Sequence, residues 1–200
     1  DSTRGGKKIS IPPTVLFSAI ARMDDIAKAV TLDAKFAGDL VYVIGNTADE
    51  LGGSEYFAML DATGNNVPKV DAEYAQAVYR AVSAVTEAEL ADSLHTPALG
   101  GLAAGFAKVA MGGRLGLEID LAKIPHQGNL TPEQLLFSES NSRFIMTVKP
   151  ENAARVEELL KGIPFAQVGK VTEKTDLVLG GTVLPMAQLL KHYQATLAGI

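Results

Sequence analysis

Short apolar runs patterned like strands take turns along this chain with stretches whose apolar residues recur at helical spacing, and few folds accommodate that order. Leu115–Leu121 is the plainest strand. Leu115, Leu117, Ile119 and Leu121 alternate with Gly116, Glu118 and Asp120, which gives one apolar and one polar face. Leu40–Ile44 is a continuous apolar run ending at Gly45, as expected of a buried strand. Phe144–Val148 reads as another strand and Ala91–Thr96 as a shorter one. Ile9–Met23 has the apolar, β-branched composition of one or two strands around Pro12 and Pro13, which mark an edge or a bend because prolines cannot sit mid-sheet. Phe165–Val171 and Asp176–Leu179 read as the two arms of a hairpin.

Between these runs lie the helical periods. Asp71–Val85 lines up Tyr74, Ala77, Val78, Ala81, Val82 and Val85, with Asp71 as the N-cap. Asp24-Asp25 caps a short helix through Val30. Gly100–Met111 is a small-residue helix with Leu102, Phe106 and Val109 on one side, stopped by Gly112-Gly113. Thr131-Pro132-Glu133 places a cap and then a proline at the first helical position, so a short helix runs to about Phe137. Pro150–Gly162 turns Ala153, Val156, Leu159 and Leu160 inward, and Leu184–Leu197 closes the chain with Pro185 near its start. Several connections are short enough for antiparallel pairing. The expected fold class is therefore α+β, a mixed β-sheet sandwiched with helices, with residues 1–200 forming a single domain.

A chain of 200 residues that is 47% hydrophobic and 20% charged buries a sizeable core. Its net charge of −5 argues against a broad nucleic-acid surface. A phosphate remains possible at a glycine-rich turn or a helix N-terminus, where backbone N–H groups supply the positive end. With no cysteine there is no disulfide, no thiol nucleophile and no Cys-based metal site, which fits a reducing cytoplasm. No apolar run approaches membrane-spanning length and no signal peptide is visible, so no membrane partner is expected. The sequence starts at Asp1 without Met, and a basic run from Arg4 to Lys8 leads straight into strand-like sequence. The expectation is a piece of a larger protein, carrying half-sites completed elsewhere.

Three polar turns carry whatever chemistry is present. In Glu50–Tyr56, Gly52 and Gly53 leave the backbone free to aim N–H groups at an anion and Ser54 adds a hydroxyl; the plainer reading is a tight turn in which the glycines only supply positive φ. In Phe137–Arg143, the side chains of Glu139, Ser140 and Asn141 suit a polar ligand, with Glu139 able to hold a metal or a substrate hydroxyl; the plainer reading is a turn whose serines cap local backbone. In His95–Leu102, Gly100-Gly101 opens a helix and His95 is an acid/base candidate, although a lone histidine at a strand end is more often packed. His126 and His192 read as surface residues. No nucleophile triad, Walker loop, GxGxxG fingerprint or metal-ligand spacing occurs, so no catalytic residue and no metal ligand is expected in the chain itself.

Taken in order, Ile11-Pro12-Pro13-Thr14-Val15-Leu16, Gly38-Asp39-Leu40, Glu50-Leu51-Gly52-Gly53-Ser54-Glu55-Tyr56, Gly100-Gly101-Leu102 and Phe137-Ser138-Glu139-Ser140 resemble the last domain of the synthetase subunit of the phosphoribosylformylglycinamidine synthase family. The similarity runs from about Lys8 to Leu197. Aminoimidazole ribonucleotide synthetase, selenophosphate synthetase and thiamine monophosphate kinase carry the same domain type. The resemblance implies an enzyme that uses ATP, magnesium and glutamine-derived ammonia to turn formylglycinamide ribonucleotide into its amidine. It implies two repeats, each an ATP-binding domain followed by a domain like this one, with this chain as the second repeat's C-terminal member. The implied partners are the preceding ATP-binding domains of the same chain and a glutaminase subunit or domain. The implied ligand-facing residues are Gly52, Gly53, Ser54, Glu139, Ser140 and Asn141, gathered at one surface junction where the ATP-binding domain docks.

The sequence departs from the family at Thr96-Pro97-Ala98-Leu99. Many relatives carry a His-Asp-x-Ser-Asp-Gly-Gly-Leu pattern there; His95, Gly100, Gly101 and Leu102 match it, while Thr96, Ala98 and Leu99 do not. Magnesium prefers oxygen ligands, usually with a carboxylate, so this turn lacks that capacity. The alternatives to an enzyme part are a non-catalytic domain that completes the scaffold and a domain of another superfamily member.

Overall fold

The computed structural model describes residues 2–10 and 14–195. Its first elements are a two-stranded antiparallel hairpin, β1 (Ser2–Arg4) and β2 (Lys7–Ile9). The remaining strands are β3 (Leu40–Ile44), β4 (Ser93–His95), β5 (Gly116–Ile119), β6 (Phe144–Val148), β7 (Phe165–Thr172), β8 (Asp176–Leu179) and β9 (Thr182–Pro185). They form one seven-stranded sheet in the order β4-β6-β3-β7-β5-β8-β9. All neighbours run antiparallel except β5 and β8, which are parallel. The helices are α1 (Glu55–Met59), α2 (Ala72–Glu87), α3 (Gly101–Gly113), α4 (Pro132–Phe137), α5 (Ala153–Leu159) and α6 (Met186–Ala195). The expected α+β fold with a mixed sheet is what the chain adopts.

β3 sits in the middle and is buried on both faces, which is why its sequence is apolar without alternation. Val41 and Val43 enter a core with Leu117, Ile119, Val168 and Leu177, closed by Leu102, Phe106 and Val109 of α3 and Leu135 of α4. Tyr42 and Ile44 enter a second core with Met146 and Val148, closed by Val78, Val82 and Val85 of α2 and Val156 of α5. Each such fully buried side chain contributes roughly 1.5–3 kcal/mol of transfer free energy. Tyr42 buries its ring and still donates its hydroxyl to Glu157 Oε1 at 2.8 Å, so no polar atom is stranded. The second face is covered only over β4, β6 and β3. Glu118, Gln167 and Lys170 are exposed on β5 and β7, where Lys170 pairs with Glu118 at 3.3 Å.

The caps explain the helix starts. Asp71 accepts from Tyr74 N at 3.0 Å and opens α2. At α4, Thr131 Oγ1 accepts from Gln134 N while Thr131 N donates to Gln134 Oε1, a reciprocal capping box with Pro132 following. Asp25 caps a single 3-10 turn, Ile26–Lys28.

Five expectations need correction. Phe165–Val171 and Asp176–Leu179 are not a hairpin, because β5 lies between them and pairs with both. The true partner of β8 is β9, reached through Gly180 and Gly181 at φ +53° and +89°, the left-handed pair that a two-residue hairpin turn demands. Leu184 and Pro185 therefore belong to an edge strand, and the last helix begins at Met186; its expected end at Leu197 lies outside the described residues. Thr14–Met23 forms no strand, and Leu16 and Phe17 are each 89% exposed. Pro12 and Pro13 lie outside the described residues. Finally, α3 continues through Gly112 and Gly113 to a left-handed Arg114, and Pro150–Gly162 is a 3-10 turn followed by the shorter α5.

Candidate functional site

Antiparallel pairing of β3 with β6 sets Ile44 opposite Phe144. The segment leaving β3 (45–54) and the segment entering β6 (138–143) must therefore meet at the same end of the sheet. They do so through a ladder of hydrogen bonds. Ala48 N donates to Ser140 Oγ at 3.1 Å, Glu50 N to Ser138 Oγ at 3.2 Å, and Glu139 N to Glu50 O at 3.3 Å. Tyr56 of α1 stacks on Phe137 at 4.7 Å and seals the far side.

Beside this seam opens a cavity of about 710 Å³ lined by Asn46, Ala48, Asp49, Glu50, Asn66, Lys69, Val70, Asp71, Tyr74, Gln127, Gly128, Ser140, Asn141, Ser142 and Pro164. Its wall mixes amides, hydroxyls and carboxylates with one ammonium, the inventory that recognises a polar ligand with many hydrogen-bonding groups. Several lining groups are held in place. Glu50 Oε1 accepts from Lys69 N at 2.9 Å, Asn66 Nδ2 donates to Asp49 O, and Asn141 Nδ2 donates to Lys69 O at 3.2 Å. Tyr74 OH accepts from Asn46 N at 2.8 Å. Burial pushes the Tyr74 phenol upward, only partly offset by that N–H and by nearby Arg143, so Tyr74 stays a neutral hydroxyl. The cavity lining contains no histidine and no hydroxyl paired with a base.

The residues singled out from the sequence are brought together but do different things. Ser140 and Asn141 line the cavity. Ser54 is 1% exposed; its Oγ donates to Leu51 O and accepts from Phe57 N, so it caps α1. The expected anion nest is not formed. Gly52 N donates to Asn66 O, Gly53 N to Thr63 O and Ser54 N to Leu51 O, so all three N–H groups already have acceptors within the fold. Glu139 stands outside the lining. Its Oε1 accepts from Glu55 N at 3.0 Å and Gly100 N at 2.8 Å, so its carboxylate occupies the positive ends of α1 and α3. The Gly100 turn thus meets an anion from its own chain.

His95 ends β4 and is not part of the cavity lining. Burial, with Lys108 nearby, lowers its pKa, and its Nε2 is buried without a partner, as for a packed neutral imidazole. Among the described residues, no group of three or more His, Cys, Asp or Glu is placed to hold a metal ion. Also among them, no helix is long and apolar enough to cross a membrane.

Sequence reading missed Tyr74 and Arg143. Tyr74 lies on the apolar stripe of α2, and only the fold shows that its hydroxyl passes the core and reaches Asn46. Arg143 follows a serine-rich turn and looks like a solvated cation, yet it is 1% exposed.

With this geometry described, comparison with known proteins is informative. A family model described as "AIR synthase related protein, C-terminal domain" matches residues 37–181. "Phosphoribosylformylglycinamidine synthase subunit PurL" of Alkaliphilus metalliredigens is 36% identical over 168 residues, covering 82% of this chain and 22% of that protein. The chain thus spans under a quarter of the length of the curated relatives it matches. The solved structure "T. maritima PurL complexed with FGAR" superposes with a TM-score of 0.72 at 20% identity, covering 82% of this chain and 30% of the other. "T. maritima PurL complexed with ATP" superposes with a TM-score of 0.65 at 18% identity, covering 82% and 27%. At these identities the solved structures establish the shared fold.

Proposed function

The chain belongs to the AIR synthase related protein family, as its C-terminal domain type, and on that premise we propose that it is one domain of an ATP-dependent phosphoribosylformylglycinamidine synthase. In this reading the full enzyme joins glutamine-derived ammonia to formylglycinamide ribonucleotide in purine biosynthesis, in the cytoplasm. Residues 1–200 act as one wall of a site completed by ATP-binding domains of the same polypeptide, with a glutaminase subunit or domain delivering ammonia. The similarity to PurL across 82% of the chain carries this reading, and the polar cavity beside the meeting of the two turns supports it.

Within the chain, Ser140 and Asn141 are the proposed ligand contacts. Gly52, Gly53, Ser54 and Glu139 support them by fixing the loop behind the wall. ATP and magnesium belong to the whole enzyme. In this reading the metal's ligands come chiefly from the nucleotide and the other domains. The chain's own part is to bind and orient the ribonucleotide.

The test is ATP- and ammonia-dependent amidine formation by the full-length protein, with and without Asn141→Ala. A raised KM for formylglycinamide ribonucleotide in the variant is expected. A full-length protein that forms no amidine refutes the assignment.

One observation favours a second reading, a scaffold domain that holds no ligand. The N–H groups of Gly52, Gly53, Ser54 and Gly100 are all bonded within the fold, which leaves them no need of an anion. An Asn141→Ala enzyme with unchanged KM and turnover selects that reading.

A further inference from the structure

Arg143 is the largest side chain that the fold buries completely. Its guanidinium donates from Nε to Ser140 O at 3.0 Å, from Nη1 to Thr47 Oγ1 at 2.9 Å and from Nη2 to Ser138 O at 2.5 Å. None of these acceptors is a carboxylate. Burial lowers its pKa to about 10, while the carboxylates of Glu50 and Glu139 work against that shift, so it remains a cation near neutral pH. Burying a cation without a directly bonded counter-charge is costly, and an apolar side chain of similar volume commonly stabilises a fold as well or better. Core packing alone therefore gives no reason for an arginine here.

The acceptors supply a reason. Thr47 stands in the segment leaving β3, and Ser138 and Ser140 in the segment entering β6. These two segments form adjoining parts of the cavity wall, Ala48 to Glu50 on one side and Ser140 to Ser142 on the other. The planar guanidinium presents its donors in a fixed fork, so bonding all three acceptors sets the spacing and tilt of one segment against the other. The ammonium of a lysine has no such fork.

We propose that Arg143 is a positioning residue for the cavity: it touches no ligand, and it holds the two loops of the wall in the one register that presents Ser140, Asn141 and Glu50 together. This rests on the reading of the cavity as the ribonucleotide site, and the experiment separates the two. The full-length protein is compared with Arg143→Lys, Thr47→Val and Thr47→Ser. Amide hydrogen exchange is followed at Ala48 and Glu50, whose N–H groups bond Ser140 and Ser138 across the seam, and at Val41 to Ile44 in the central strand. KM and kcat for formylglycinamide ribonucleotide are measured in parallel.

Arg143→Lys is expected to speed exchange at Ala48 and Glu50 by about tenfold or more while Val41 to Ile44 keep their protection. KM should rise by about tenfold with a smaller loss in kcat, as for a wall that no longer presents its groups together. Thr47→Val should shift both readouts in the same direction by less, and Thr47→Ser should restore them. Unchanged exchange at Ala48 and Glu50 in Arg143→Lys overturns the proposal. So does acceleration spread evenly through Val41 to Ile44 in both Arg143→Lys and Thr47→Val, because that marks an anchor of the whole fold. Loosened loops with unchanged KM overturn the reading of the cavity as the ribonucleotide site.

Discussion

Gly52 and Gly53 are neighbours needed for different reasons. A Cβ at Gly52 would lie 2.7–2.8 Å from the backbone of Asn66, so the loop from 61 to 66 would have to move. Gly53 faces open space but has φ +70°. Gly52→Ala is expected to cost roughly 1–3 kcal/mol, as overpacking against backbone does. Gly53→Ala should cost about 1 kcal/mol from its left-handed backbone, and Gly53→Asn less, since asparagine tolerates that region. Urea unfolding ranks the three; equal losses at both positions would contradict this account. A different residue-scale effect is expected at Asp39, which is 2% exposed. Burial, reinforced by the charge of Asp92, pushes its carboxyl up to about 6, from the ordinary 3.8 that applies in the unfolded chain. The folded protein thus holds the proton more tightly. The stability this contributes is complete below the unfolded value and is lost as pH rises through 6. Asp39→Asn mimics the neutral acid, so it should leave stability nearly unchanged at about pH 3 and raise it above pH 7 by on the order of 1 kcal/mol. An Asp39→Asn shift of equal size at both pH values would show that hydrogen bonding, not ionisation, decides.

At the scale of elements, what the sequence revealed was what neighbouring residues decide. The strand Leu40–Ile44, the cap at Asp71 and the helix from Pro132 to Phe137 were all readable, because a run, a cap or a proline acts within a few positions. Thr131→Ala is accordingly expected to destabilise the fold by about 1 kcal/mol, and Gln134→Ala by less, since each breaks one arm of the capping box at α4. Thermal melting checks both. Strand pairing was not readable in the same way. β7 and β8 are close in sequence, yet β5 inserts between them, and nothing local in either strand announces a partner some fifty residues upstream. The Gly180-Gly181 signal for the β8–β9 hairpin was present in the sequence, but the apolar start of the last helix hid it. Thr14–Met23 misled for the converse reason: it has the composition of a strand, yet its large apolar side chains stay exposed and no strand forms.

On the scale of the whole molecule, the site combines readable and unreadable parts. Ser140 and Asn141 were suggested by a polar turn and do line the cavity, whereas Arg143 could be found only once the chain had folded around it. The isolated chain should show no ATP- and ammonia-dependent amidine formation, while the full-length protein carrying it should. The chain spans only 22% of a relative of matching sequence. Measurable turnover by the isolated chain would sink this expectation.

The position of β3 also constrains how the chain reaches this state. Its two neighbours are β6, with Leu40 opposite Val148, and β7, with Leu40 opposite Lys170. Ninety-nine residues lie between β3 and β6, and 120 between β3 and β7. On a ribosome, β3 therefore has no partner until β6 has emerged and lacks its second until β7 follows. Until then Val41, Tyr42, Val43 and Ile44 are an apolar edge open to any other extended chain. A domain so dependent on distant closures folds slowly for its size, because loop entropy must be overcome before the ladder gives anything back. The hazard is greatest during synthesis, when a chain stalled before residue 165 presents that strand with one partner at most. Such stalled products are expected to aggregate, and chaperone demand should fall sharply once β7 is released.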